Sequence, residues 1–370
     1  MHVSTTKEAL ALPLALVAGA ADAKGQIPML ATVLLKTVNG KLSMLCSDTA
    51  VLARALTECT VGKEGEIAID AKRFNDLVRA LPEKQSLDLC LEEKGTLLIK
   101  SGRSRFRLPA LPAAEYPRMV SAKEQRVTIN IPTTRLSDMI EEVSGAIAVA
   151  DIRPYLNGVL VSLQDGFLYL VATDGFRMVV TREPIAGSEQ ISKSVILPRK
   201  TALLARRLMT QSGDVKLAIG TTDVTLSFVD GTVLIGKSIA GQFPAFAKAI
   251  PQTAASATLE SRKLCEAIGL IDATTEASDK KQGRAVEMKF TDSTLTLSSG
   301  EQSRCEIDAV CPSPNTQELA FNVDFLRSAA DTIGGTGEKL RVCFPETANV
   351  ICIRPAETDY PLAVVMGLRK

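Results

Sequence analysis

The chain has 370 residues, 46% of them hydrophobic, with no tryptophan and only 4% aromatics, so it can fill several cores with aliphatic side chains. Its 43 basic and 42 acidic residues leave a net charge of +1, which argues against a surface that adheres to nucleic acid everywhere, because nonspecific affinity follows the number of phosphates neutralised. A single histidine (His2) and eight cysteines without a CxxC pair leave no basis for a histidine-centred hydrolase or a zinc cluster.

The opening Met1-His2-Val3-Ser4 lacks the basic start and long apolar stretch of a signal peptide. The apolar run from Ala9 to Ala21 is too short to span a bilayer and is interrupted by Pro13. A cytoplasmic location with no membrane partner is expected, with Cys46, Cys59, Cys90, Cys265, Cys305, Cys311, Cys343 and Cys352 reduced and mostly buried. Leu10, Leu14 and Val17 share one helical face, and Pro13 is expected to start or kink that helix. Val33 to Leu42 reads as two strands around an Asn39-Gly40 turn, a pair favoured where both central positions need positive φ. Asp70 can cap a second helix carrying Phe74, Leu77, Val78 and Leu81. Leu87 to Leu91 alternates as a strand, and Glu115-Tyr116-Pro117 closes this stretch.

The same order then recurs. Leu136, Met139, Ile140 and Val143 mark a helix, Val159 to Leu168 a hairpin turning at Asp165-Gly166, and Pro198 opens a helix with Leu204 and Leu208. Val224 to Phe228 alternates before Asp230-Gly231, and Gln242-Phe243-Pro244 closes the copy. A third pass gives a helix with Leu264, Ile268 and Ile271, a hairpin from Val286 to Leu295 turning at Asp292-Ser293, and an Asn322-capped helix with Phe325, Leu326 and Ile333. The hairpins start at Val33, Val159 and Val286, spacings of 126 and 127 residues, too long for a solenoid unit. We therefore expect an α+β chain of three repeated domains over residues 1–122, 126–252 and 254–370, each with two helices packed on antiparallel sheets.

No HExxH, phosphate loop or metal-spaced cluster is present. Ala172-Thr173-Asp174-Gly175 reads as a strand ending at a tight turn, not as a catalytic aspartate. Gly334-Gly335-Thr336-Gly337 follows a helix and reads as its stop. More informative are Lys72, Arg73 and Arg79 on one second helix and Arg199, Lys200, Arg206 and Arg207 on the next. A basic face repeated at equivalent places can hold a phosphate backbone without reading bases.

Five segments then carry a resemblance: Arg153 to Gly158 (RPYLNG), Ala172 to Arg177 (ATDGFR), Leu197 to Lys200 (LPRK), Gly241 to Pro244 (GQFP) and Val364 to Leu368 (VVMGL). Together they resemble the bacterial DNA polymerase III beta subunit, the sliding-clamp family, over the whole chain. The resemblance implies the DNA-clamp fold, closed into a ring as a head-to-tail homodimer, which encircles duplex DNA without sequence preference and performs no catalysis. It implies no cofactor and no metal. Partners implied are the DNA polymerase III catalytic subunit, the clamp loader, and other polymerases and repair proteins carrying clamp-binding peptides. By similarity Lys24, Arg73, Arg153, Arg199 and Lys200 face DNA. A peptide cleft between the second and third domains takes Leu156, Thr173, Gly175, Phe176, Arg177 and Met178. Its other side takes Pro244, Lys248, Asn349, Val364, Val365, Met366 and Leu368. Phe106 and Leu108 on one chain, and Ile271, Ala273 and Thr274 on the other, are the implied dimer contact. The sequence departs from the family's pattern at Phe176, where His is usual, at Gly367, where Pro is common, and at its basic Arg369-Lys370 ending. The alternative reading is a divergent clamp-like scaffold that binds clamp partners without encircling DNA.

Overall fold

Polar side chains open three of the helices. Thr6 Oγ1 accepts the Ala9 N–H at 3.2 Å, Asp70 Oδ1 accepts that of Arg73 at 2.7 Å, and Asn322 Oδ1 accepts those of Asp324 and Phe325 at 2.9 and 3.3 Å. Each satisfies a donor that the first helical turn leaves without a partner. The computed structural model describes residues 1–23, 25–93, 95–117, 126–209, 212–252, 255–274, 284–300, 303–312, 319–345 and 349–368. Among them are helices α1 (Lys7–Ala18), α2 (Ala71–Ala80), α3 (Thr133–Ser144), α4 (Arg199–Leu208), α5 (Phe246–Ala249), α6 (Ser261–Thr274) and α7 (Val323–Gly334). None is long and apolar enough to cross a membrane.

The helical faces are buried as their spacing predicts: Leu10, Leu14 and Val17 on α1, and Leu264, Ile268 and Ile271 on α6. Pro13 does not start its helix. It lies inside α1, six residues after Lys7. Proline has no N–H to give, so the Ala9 carbonyl loses its helical donor. Thr57 supplies a replacement, its hydroxyl donating to the Ala9 oxygen at 2.5 Å from the neighbouring strand. That one bond makes the interior proline tolerable.

The Asn39-Gly40 and Asp165-Gly166 turns have positive φ at both positions, 49° and 77° in the first and 52° and 79° in the second. They join strands in register Val38↔Lys41 and Gln164↔Phe167. The third hairpin differs: neither Asp292 nor Ser293 has positive φ. Its turn is held instead by the Thr291 N–H donating to Thr294 O at 2.9 Å and the Thr294 N–H donating to Thr291 Oγ1 at 3.1 Å. A threonine at each end replaces the Asx-Gly chemistry of the other two.

The chain forms two compact units. Residues 1–137 and 200–238 make the first, residues 138–199 and 239–370 the second. In the first, the described strands make one thirteen-stranded antiparallel sheet from Val127–Pro132 at one edge to Thr60–Lys63 at the other. There α1 packs on α2 and on the strand Val51–Glu58. In the second, an eight-stranded sheet runs from Lys193–Pro198 to Ala255–Glu260, and a four-stranded sheet from Ser303–Asp308 to Leu319–Asn322. These units cut across the 126-residue period because strands pair across the repeat junctions. Val233–Lys237 pairs with Val51–Glu58 in register Leu234↔Ala53, and Arg177–Pro184 pairs with Leu362–Met366 in register Met178↔Val364.

Candidate functional site

The Thr173 to Arg177 turn is built almost wholly from its own side chains. Asp174 Oδ1 accepts the N–H groups of Phe176 and Arg177 at 2.9 and 3.0 Å, and Oδ2 accepts Arg177 Nε at 3.0 Å. Thr173 Oγ1 donates to Arg177 O at 2.7 Å and accepts the Gly175 N–H at 3.1 Å. Gly175 has φ +92°, and a side chain there would press on the Arg153 guanidinium. Asp174 is therefore consumed in turn geometry, as its sequence context suggests. Arg153 is itself pinned, with Nε and Nη2 donating to the two Asp151 oxygens at 2.9 Å each. The hydrogen bond from Arg153 holds the Asp151 carboxyl down at about 2.

This turn borders an apolar cleft of about 550 Å³ that lies wholly within the second unit. Leu156, Met178 and Val364 line it as buried residues, and Pro244 and Met366 as exposed ones. Thr173, Gly175, Phe176, Arg177 and Asn349 complete the anticipated residues that line it. Three others do not. Val365 is fully buried on the opposite face of its strand, because side chains alternate. Lys248 is exposed on α5, which sends Phe246 and Ala249 into the cleft instead, and Leu368 is half-buried outside the lining. The structure adds Tyr155, Phe243, Phe246 and Val350, and also Arg153, which the resemblance assigns to DNA. Tyr155 and Phe243 sit inside the RPYLNG and GQFP segments; nothing in the local sequence marks Val350.

At the rim, Phe176 is 58% exposed yet ordered by a partner 149 residues away. Its ring stacks on Phe325 of α7, with centroids 5.8 Å apart and planes within 18°, and the Arg177 guanidinium lies 5.1 Å from the Phe325 centroid. The Phe176 carbonyl also accepts the Met366 N–H at 2.9 Å, tying the turn to the adjoining strand Leu362–Met366.

The basic candidates divide into two groups. Lys200 Nζ pairs with Asp48 at 2.6 Å and donates to the Ala20 and Ala21 carbonyls just beyond α1. Arg199 donates to the Ser144 and Ile147 carbonyls at the end of α3. Both act as helix C-caps. Arg73 is exposed, with no side-chain partner among the described residues; so are Arg79 and Arg207. Lys72 pairs with Asp76 at 2.7 Å, and Lys24 lies outside the described residues.

Phe106 and Leu108 are half-buried on the strand Ser104–Leu111. That strand pairs fully with Thr96–Ser101 on one side but through only Ala110 and Leu111 on the other, so Ser104 to Pro109 leave an open edge among the described residues. Ser303–Asp308 ends the four-stranded sheet and is open likewise. Ile271 is 2% exposed and packs inward from α6, whereas Ala273 and Thr274 are exposed.

Residues 1–120 match the family model for the DNA polymerase III beta subunit, N-terminal domain, and residues 130–245 that for its central domain. The chain is 30% identical to the beta sliding clamp of Pseudomonas aeruginosa and 28% identical to that of Escherichia coli strain K12, each over the full length of both chains. Its structure resembles that of the Pseudomonas aeruginosa sliding clamp bound to griselimycin, with a TM-score of 0.92 at 29% identity over all of both chains. It also resembles the polymerase III beta structure from Caulobacter crescentus, with a TM-score of 0.89 at 28% identity over all of both chains. The apolar cleft, the repeated helix pairs and this full-length likeness agree, and the chain belongs to the DNA polymerase III beta subunit, or beta sliding clamp, family.

Proposed function

We propose that this chain is a processivity clamp: as a homodimeric ring it encircles duplex DNA and tethers DNA polymerase III to its template, without catalysing a reaction. The observation that carries the reading is the apolar cleft joined to full-length membership of the clamp family. Aliphatic, methionine and aromatic walls with a few fixed polar groups suit a short peptide from a partner, and the adaptable Met178 and Met366 suit more than one such peptide. Partners of this kind are the polymerase catalytic subunit, a clamp loader, and other polymerases and repair proteins carrying such peptides.

Three domains over residues 1–122, 126–252 and 254–370 would supply each half of the ring. The two halves would join head to tail by strand addition, the open Ser104 to Pro109 edge of one chain meeting the Ser303–Asp308 edge of the other. Phe106 and Leu108 would gain apolar cover there from the α6 end at Ala273 and Thr274. Duplex DNA would pass the helices, with Arg73, Arg79 and Arg207 as mobile phosphate contacts. Arg153, Arg199 and Lys200 are candidates of a different kind, since each is already held by a carboxylate or carbonyl. A topological link needs no tight grip, which accords with the balanced charge.

The deciding experiment is retention on DNA. Loaded onto nicked circular DNA with a clamp loader and ATP, the protein should stay bound through gel filtration and be lost once the circle is linearised. Retention that linearisation does not change would overturn the ring reading and favour the scaffold alternative.

A further inference from the structure

Asn349 and Gly367 occupy each other's space. The Gly367 N–H donates to Asn349 O at 2.8 Å, and Asn349 Nδ2 donates to the Leu368 carbonyl. A Cβ built on Gly367 would collide with Oδ1, Cγ and Nδ2 of Asn349. Gly367 does not have a left-handed φ, so its missing side chain serves room alone. The carboxamide fills the volume that any side chain at position 367 would take. Because a carbonyl oxygen accepts only, the end facing Leu368 is the nitrogen and the other end is the acceptor Oδ1.

Both residues line the cleft, beside Val350 and Met366. Most other polar groups there are already engaged: Arg153 by Asp151, Arg177 by Asp174, and Thr173 by the turn backbone. Asn349 Oδ1 has no partner among the described residues, and its orientation is fixed by the bond at its other end. Asn349 is exposed, so solvent water can donate to Oδ1 when no peptide is bound. A peptide that expels that water must supply a donor in its place, or leave a desolvated acceptor unpaired.

We infer that the Asn349–Gly367 interlock is a specificity-determining element of the cleft: it selects an apolar peptide that presents an N–H donor in register with Asn349 Oδ1, and rejects proline or an N-alkylated residue there. The inference rests on the peptide-cleft reading above.

The test uses the full chain and a panel of fluorescein-labelled leucine- and phenylalanine-rich hexapeptides, read by fluorescence anisotropy. The tightest binder is then remade with each backbone N–H methylated in turn. One position should cost about threefold to tenfold in Kd with the unsubstituted protein and less than about twofold with Asn349→Ala, an exposed site whose truncation leaves the core intact. Gly367→Ala should expel the carboxamide and weaken the unmethylated peptide as Asn349→Ala does, and the double variant should lose nothing further. Methylation penalties that do not depend on residue 349, or a Gly367→Ala variant that binds like the unsubstituted chain, would overturn the inference while leaving the cleft reading standing. If no hexapeptide binds the unsubstituted chain, both fall.

Discussion

Phe176 illustrates how a single exposed side chain acquires a job from a distant partner. Without Phe325 beneath it the ring would be free to rotate; stacked, it is a fixed apolar plate on the rim. Stacking of this kind is worth about 0.5–1.5 kcal/mol beyond burial, so Phe325→Ala should weaken peptide binding by about twofold to tenfold although Phe325 does not line the cleft. Anisotropy titration reads it, and an unchanged Kd would mean the ring is held by other means. Asp151 gives a pH prediction. Its carboxyl is depressed to about 2, first by the side-chain hydrogen bond from Arg153, so the Asp151–Arg153 clamp contributes fully above the ordinary value of 3.8 and is lost as pH falls through about 2. A carboxyl-carbon NMR titration should show that midpoint, and Arg153→Ala should return it toward 3.8. At this scale the sequence was informative about residue type and poor about pairing. Met178, Val364 and Met366 were legible from their motifs. The Phe176–Phe325 stack, the Asn349–Gly367 interlock and the carbonyls that hold Lys200 all join residues far apart in the chain, and no local pattern records such a meeting.

At the scale of elements, periodicity carried most of the fold. Helical faces, caps at Asp70 and Asn322, and the two Asx-Gly turns follow from local chemistry that a single segment contains. Two features depended on a neighbour instead. The third hairpin turns without positive φ because two threonines close it, and α1 runs through Pro13 because Thr57 on another strand answers the Ala9 carbonyl. That bond is open to test. Thr57→Val keeps the shape and β-branching but strands a carbonyl beside a 6%-exposed side chain, and should cost about 1–3 kcal/mol in the first unit. Urea unfolding followed by far-UV circular dichroism should show the earliest transition moving to lower denaturant. Restoring an N–H with Pro13→Ala in the same chain should recover most of the loss, an outcome that a simple packing defect at Thr57 would not give.

For the whole molecule, the repeat was the most legible property and the strand pairing across repeat junctions the least. The pairs Leu234↔Ala53 and Met178↔Val364 weld successive copies, so the compact units follow sheet continuity while the elements keep their 126-residue rhythm. Assembly is predicted to depend on the open edge of the first unit. Leu108→Glu should leave the fold intact, since Leu108 is only half-buried, and convert a dimer to a monomer in sedimentation velocity. A dimer of unchanged stability would move the interface elsewhere. The charges on the two open edges carry a further consequence. Arg105 and Arg107 are exposed on one, Arg107 paired with Glu92. Arg304, Glu306 and Asp308 are exposed on the other, Arg304 paired with Glu306 and Asp308 with Lys263. Like charges set opposite one another disfavour strand pairing. Two copies of the first edge would set arginine against arginine, whereas the second edge offers it two carboxylates and one arginine, so charge favours the unlike pairing: a joint made this way reads from arginine to carboxylate, and an assembly so joined has two distinguishable faces.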